Sequence, residues 1–369
     1  MPTVVFAPDS FKGTLDAAAA SRALADGWLS ARPEDVAVLR PMADGGEGTL
    51  AAFATVPGAV RMPVTVRGPH DRDIDAAWLL LPPTAESPRG TGVVELASTS
   101  GVELLEELRP NTAHTVGFGQ AIAAALDHEV SRLVLGIGSS ASTDAGLGML
   151  TALGARAVDA NGVALTGGLR ELAALAGLDL SLLRPLPPTL VVTDVTNPLV
   201  GPRGAAHVFG PQKGLDAADV ARAETALRSF AAWFPDADPA TQGSGAAGGV
   251  GFTLHALGAC LGSGAAEVAE LVGLDAALAG AAAVVTGEGA YDAQSADGKV
   301  PAFVAAAASA HRLPALLAAG RIAPDAALGA FADAVSLVES AGSPDAAMAD
   351  PTRWLRAAGE RLAAAFTAS

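Results

Sequence analysis

VVTGEGAYDAQSADGKVP, residues 284–301, opens as an apolar strand and ends among charges. Its lead-in, AAAVV (281–285), has no polar face. Thr286 and Gly287 then give way to Glu288, Asp292, Asp297 and Lys299. The crowding is uneven in a chain with 17% charged residues. A strand apolar on both faces belongs in a parallel sheet covered by helices. Ligands of such sheets bind outside the carboxyl ends of the strands. The stretch therefore predicts a buried parallel strand that presents acids and a lysine to a ligand.

The rest of both termini has the same texture. TVVFA (3–7) and VAVLR (36–40) read as strands, and Thr14 is placed to cap a helix over Leu15–Ala31. Ala17, Ala20, Leu24 and Trp28 share one face of that helix. PMADGGEGTLAAF (41–53) turns into another helix. Near the C-terminus, ALLAAG (315–320) and AVSLVE (334–339) read as strands. KVPAFVAAAASAHR (299–312) and PTRWLRAAGERLAAAF (351–366) read as helices. Right-handed βαβ units from the two ends can complete one doubly wound sheet.

The middle differs. VRMPVTVRGPHDRDIDAAWLLL (60–81) is two alternating strands about a Gly-Pro turn, followed by TGVVELAS (91–98), the pattern of an antiparallel ribbon. RLVLGIG (132–138) and TLVVTD (189–194) are short buried strands, and GSGAAGGVGFTLHALGACLGSG (243–264) is a glycine turn opening a helix. The reading is two α/β domains: residues 1–58 with 278–369, and an inserted domain over residues 59–277.

Composition narrows the function. Half of the 369 residues are hydrophobic but 4% are aromatic, so Ala, Val and Leu fill the cores. The net charge of −16 and the lack of a basic run argue against nucleic acid. No apolar run reaches the roughly 18 residues of a membrane span. The start lacks the basic and apolar regions of a signal peptide. A single cysteine, Cys260, expected to be buried filler, excludes an intrachain disulfide. A cytoplasmic location is expected.

Only three of the 23 basic side chains are lysines, and Lys12, Lys213 and Lys299 all lie in glycine-bearing loops. Such lysines suit places that need a compact point charge where the planar fork of arginine does not fit. Acids stand in similar loops: Asp9 and Ser10, Asp44 and Glu47, Asp194 and Asn197, Glu288 and Asp292. Magnesium takes one or two carboxylates together with phosphate oxygens. Lysine neutralises charge that develops during phosphoryl transfer. Since Asp and Gly also dominate ordinary turns, it is the repetition across four loops that points to Mg-nucleotide chemistry.

A rival pattern lies at Gly136, Gly138 and Ala141, a G-x-G-x-x-A after a strand, with Asp159 further on. That is the context of a dinucleotide-binding unit, and it keeps open an NAD(P)-dependent dehydrogenase of a small hydroxy acid. Ser139, Ser140, Ser142, Thr143 and Asp144 in the same loop equally suit a polar substrate or phosphate. A non-catalytic small-acid-binding protein is the third reading. The six histidines show no metal-ligand spacing, and Val300 replaces the Ser/Thr of a P-loop. Tyr291, the only tyrosine, is placed in a loop.

Taken together, APDSFKGTL, PMADGGEGT, GIGSSASTDAGLGML, DVTNPLVGPRGA, VFGPQKG, GSGAAGGVG and TGEGAYDAQSADGKVP resemble the bacterial glycerate kinase family, of the type that includes glycerate 2-kinases. The resemblance implies ATP-dependent phosphorylation of D-glycerate with Mg²⁺, by a flavodoxin-like domain plus a second α/β domain. Ser139, Ser142, Thr143 and Ala145 depart from the family's usual Gly, Thr, Asn and Gly. Ala290 stands where an arginine is usual. On this reading the active site lies in the cleft between the domains. Asp194 is the expected general base, and Lys12 and Lys213 neutralise the transferring phosphate. Gly287, Glu288, Gly289, Asp292 and Lys299 are expected to hold the nucleotide. Ser10, Ser139, Ser140, Asp144, Asn197 and Arg203 are expected to hold the substrate, and Asp9, Asp44 and Glu47 to hold metal.

Overall fold

Short apolar runs become the interior strands of two sheets. The computed structural model describes the whole chain apart from residues 12, 44, 263, 293–298 and 367–369. Two compact units emerge, one of residues 1–44, 51–57 and 263–369, the other of residues 45–50 and 58–262. The chain opens with β1 (Thr3–Phe6) and β2 (Val36–Leu39) in the first unit. The second unit holds β3 (Val60–Arg67), β4 (Asp73–Leu81), β5 (Thr91–Glu95) and β6 (Arg132–Gly136). It continues through β7 (Arg156–Val158), β8 (Ala164–Leu165), β9 (Gly177–Asp179), β10 (Thr189–Val192) and β11 (Cys260–Gly262). The first unit is completed by β12 (Ala283–Tyr291), β13 (Ala315–Ile322) and β14 (Asp333–Ser336).

In the first unit the strands order β14-β13-β12-β1-β2, every pair parallel. Counted along the unit this is the doubly wound flavodoxin-like order 2-1-3-4-5, built from both termini as the sequence implies. Its topological switch point falls between β1 and β12. Val4, Phe6, Val285, Leu316 and Val335 are buried against Leu24 and Trp28 of helix Ala17–Ala31 and Leu355 and Leu362 of helix Pro351–Ala365. Trp28 packs edge-on to Phe6 and beside Phe366, and its indole N–H donates to Asp35 Oδ2 at 2.9 Å. The two helices touch through glycines. A Cβ on Gly27 would stand 1.9 Å from Arg356 O, and one on Gly359 would stand 2.2 Å from Leu24 O.

The second unit has a six-stranded sheet ordered β11-β10-β6-β5-β4-β3 and a small antiparallel sheet β8-β7-β9. β5 is the joint of the larger sheet, antiparallel to β4 and parallel to β6. Phe118, Ile122, Leu133, Leu135, Val94 and Trp78 fill one core. Phe230, Phe234 and Phe252 form a second, with Phe252 edge-on to the other two.

Several local expectations change. Asp16 caps the first helix, accepting from Ala19 N at 2.7 Å, whereas the Thr14 hydroxyl turns back to Phe11 O. A carboxylate in extended backbone is the stronger cap there. Tyr291 is no loop residue: it ends β12, 2% exposed, edge-on to Phe331 with its hydroxyl donating to Ala327 O. Cys260 is exposed at the start of β11 rather than buried, because GACLG forms an edge strand and not more helix. AVSLVE splits at Ser336, whose hydroxyl caps helix Leu337–Ala341. No described helix is long and apolar enough to cross a membrane.

Candidate active site

Each unit carries a cluster of chemically active side chains at the carboxyl ends of its parallel strands. In the first unit β1 ends opposite Val285 while β12 runs on to Tyr291, and beyond the end of β1 Asp9 N donates to Gly287 O at 2.8 Å. This contact sets Asp9 (4% exposed) next to Glu288 (6%) at the switch point. Gly287 is required there: a Cβ would lie 2.0 Å from Ala318 O of β13. Lys299 Nζ stands 3.9 Å from Glu288 Oε2, at the start of helix Val300–Ala310. Ser10 is buried as well. Its N–H donates to Asp9 Oδ1, but its Oγ has no hydrogen-bond partner among the described residues. Buried hydroxyls are normally paired, so this one is available to a ligand. Asp292 follows β12 and is half-buried. Lys12 and Asp44 lie outside the described residues.

In the second unit residues 45–50 lie across the end of β6. Gly138 N donates to Gly45 O at 3.0 Å, and a Cβ on Gly138 would stand 2.4 Å from Gly46 Cα, so only glycine permits this crossing. Glu47 is half-buried in that loop. The loop is fastened by Glu95, the last residue of β5, which accepts from Leu50 N at 3.2 Å. Burial pushes the Glu95 carboxyl up to about 7; the Leu50 and Gly48 amides and the Ser98 side chain oppose the rise, and the charge of Glu47 adds to it. Sequence reading missed Glu95. The one available signal was an acid closing a strand in which all five residues prove buried.

The serine loop after β6 is held from beneath. Asp144, fully buried, accepts from Thr115 N and Oγ1, Ser142 Oγ, Gly146 N and Gly148 N at 2.9–3.3 Å. These bonds occupy the carboxylate with its own chain, so Asp144 orders the loop rather than facing outward. Ser139 and Ala145 adopt positive φ, as does Ala247 in the adjoining glycine turn, where Gly248 O accepts from Ala145 N. Such conformations in residues other than glycine cost energy and concentrate at functional sites. Lys213 ends a short turn Pro211–Lys213 and is 4% exposed. Its Nζ donates to Ser140 Oγ and Ser142 O, each at 2.6 Å. Burial lowers the ammonium to about 7, and the charge of Asp144 partly restores it.

Asp194 is exposed just beyond β10. The Asn197 side chain is used within its own segment, Nδ2 donating to Arg203 O at 2.7 Å, and its backbone carbonyl accepts from Gly245 N. Arg203 is exposed. Thus Ser139, Ser140, Asp144 and Lys213 come together in one unit, and Asp9, Ser10, Glu288 and Lys299 in the other. Asp159, the acid of the rival dinucleotide fingerprint, accepts from Asn161 N and Val163 N in its own hairpin turn.

Fold and clusters define the class: a two-unit α/β protein whose parallel strand ends present acids, serines and lysines. A model described as the glycerate kinase family matches residues 4–367. Glycerate 2-kinase of Escherichia coli is 36% identical over 332 residues, covering 87% of this chain and 86% of that one. Glycerate kinase of Bacillus subtilis is 37% identical over 336 residues with the same coverage of 87% and 86%. A crystal structure from Salmonella typhimurium, of a protein proposed to be glycerate kinase 2, matches with TM-score 0.82 and 34% identity over 98% of this chain and 97% of that chain. The chain belongs to the glycerate kinase family and is an enzyme of that family.

Proposed function

We propose that the protein transfers the terminal phosphoryl group of ATP to a hydroxyl of D-glycerate, giving 2-phosphoglycerate, in the cytoplasm. The E. coli relative supports the acceptor and product through its name, glycerate 2-kinase. The observation that carries the reading is Lys213, a buried amine poised near neutrality on a serine loop. An arriving phosphate dianion favours the ammonium form. Lys213, with Lys12 and Lys299, then neutralises charge that builds on the transferring group.

Ser139, Ser140, Asn197 and Arg203 hold the hydroxyls and carboxylate of glycerate, with Asp144 fixing the serine loop. Asp194 takes the proton of the attacking hydroxyl. Ser10, expected above to hold the substrate, is assigned instead to the nucleotide because it lies on the same rim as Glu288, and Gly287, Glu288, Gly289 and Asp292 complete the nucleotide site in the first unit. No group of three His, Cys, Asp or Glu side chains suited to a metal occurs among the described residues. Mg²⁺ is commonly bound through one or two carboxylates and substrate phosphates, and the buried Asp9 carboxylate beyond β1 is a donor of that kind. Asp9, Asp44 and Glu47 are the residues that would hold it, and the ion would supply charge neutralisation on the phosphates.

A coupled ADP-release assay over a panel of small hydroxy acids tests the reading, with ³¹P NMR locating the new phosphate. Turnover that depends on glycerate and yields the 2-phosphate is expected. Nicotinamide reduction without ADP release would overturn it.

A further inference from the structure

The first unit offers a second feature beside its acid-and-lysine rim. A recess of about 300 Å³ opens at the carboxyl ends of β12 and β13. It is lined by the Gly289 and Gly320 backbone and by Phe11, Val338, Ala347 and other apolar side chains, with Arg321 among them. Phe11 and Ala347 are buried and Val338 is half-buried. Met348 also lines it and is 62% exposed, unusual for a large apolar side chain.

The recess continues the rim along the same two chain segments. Phe11 follows Ser10, whose buried hydroxyl is unpaired among the described residues, and Gly289 follows Glu288. An occupant reaching both would be apolar at one end and polyanionic at the other. The volume matches the lower end of small-ligand pockets, enough for one heteroaromatic ring system. Arg321 supplies a guanidinium that stacks on aromatic faces, and Met348 a polarizable thioether that packs against ring edges. The position, next to the β1/β12 switch point, is where doubly wound sheets take nucleotides.

We infer that this recess, lined by Phe11, Arg321, Val338 and Met348, receives the base of the nucleotide whose phosphates meet Ser10 and Lys299 on the rim beside Glu288. The inference rests on the kinase reading above and adds the subsite for the base.

Two variants of the full chain test it. Val338→Trp fills the recess. It should raise KM for ATP by about tenfold or more while KM for glycerate stays within about twofold, since only the base loses contact area. Met348→Trp, at an exposed position that tolerates change, sets an indole at the mouth. Adenosine, which carries no phosphate, should then shift its emission saturably beyond any change in the unsubstituted chain, and inorganic tripolyphosphate should not. A folded Val338→Trp enzyme with unchanged KM for ATP overturns the inference. So does an adenosine titration of Met348→Trp that stays flat to millimolar concentration, and this second test decides alone if Val338→Trp does not fold. Absence of turnover in the unsubstituted chain would count against the kinase reading only, because adenosine binding needs no phosphoryl transfer.

Discussion

The rim of the first unit and the serine loop of the second reach similar chemistry by opposite means. In the first unit one strand simply ends beside a longer one: the parallel register of β1 and β12 sets Asp9 beside Glu288, and little strain is needed. In the serine loop of the second unit and the glycine turn beside it, three non-glycine residues hold positive φ, and a buried carboxylate and a buried lysine are locked in place. Each such backbone costs on the order of 1–3 kcal/mol, and an unpaired buried charge costs more. The rim is therefore a place that topology supplies, whereas the serine loop is a preorganised device that the rest of its unit must stabilise. Preorganisation is worth most where charge develops during reaction.

Removing one lysine from each cluster exposes that difference most strongly. Lys213→Met should lower turnover by about 10²–10³-fold, the loss typical of a preorganised electrostatic contact. Lys299, partly exposed and 3.9 Å from its carboxylate, works through solvent-screened charge. Lys299→Met should cost about tenfold, raising KM for ATP in the main. Steady-state kinetics on both variants decides the matter, and equal losses would erase the contrast.

Next in size is a change that strikes only the frame of the first unit. Gly359→Ala drives a methyl against Leu24 O, where helices Ala17–Ala31 and Pro351–Ala365 touch. Overpacking of this kind costs about 1–3 kcal/mol. Calorimetry should show a lowered melting transition, and an unchanged one would mean that the helices separate without cost.

Glu95 gives the second unit a pH signature of its own. Its folded-state value is raised from 4.5 to about 7. Its contribution to stability is therefore whole below about pH 4.5 and is lost as the pH rises through about 7. The loss amounts to up to about 3 kcal/mol, at roughly 1.4 kcal/mol per tenfold change in proton affinity. Urea unfolding of the parent and of Glu95→Gln over that range should show the parent falling relative to the variant. Parallel curves would remove Glu95 from the account.

The smallest expected effect belongs to Ser10. Its hydroxyl has no partner to lose among the described residues, so Ser10→Ala should leave stability within about 0.5 kcal/mol. KM for ATP should still rise about threefold to tenfold, the worth of one ligand hydrogen bond. A destabilised variant with normal KM would make Ser10 a structural residue.

The elements were legible where short-range physics decides. The apolar runs at 3–6, 132–136, 189–192 and 281–285 announce buried strands, although the last strand continues through Glu288 to Tyr291. Acids placed just after them announce strand-end chemistry, as Asp9 and Glu288 show. Tyr291 and Cys260 were misjudged because their surroundings come from distant segments: Phe331 and Ala327 for one, an open sheet edge for the other. Glu95 was hidden for the same reason, since its partner Leu50 lies 45 positions away.

The sequence by itself determined that this chain is an α/β protein with an apolar parallel sheet, glycine-bearing loops of acids and lysines, and the motifs of one enzyme family. Side-chain periodicity and turn chemistry are local, and survive without coordinates. Tertiary structure alone decided that Lys213 is buried on Ser140, that Asp144 serves its own loop, and that Glu95 pins residues 45–50. Burial and hydrogen-bond saturation arise from segments far apart in the chain, and they set which charged groups remain available for chemistry.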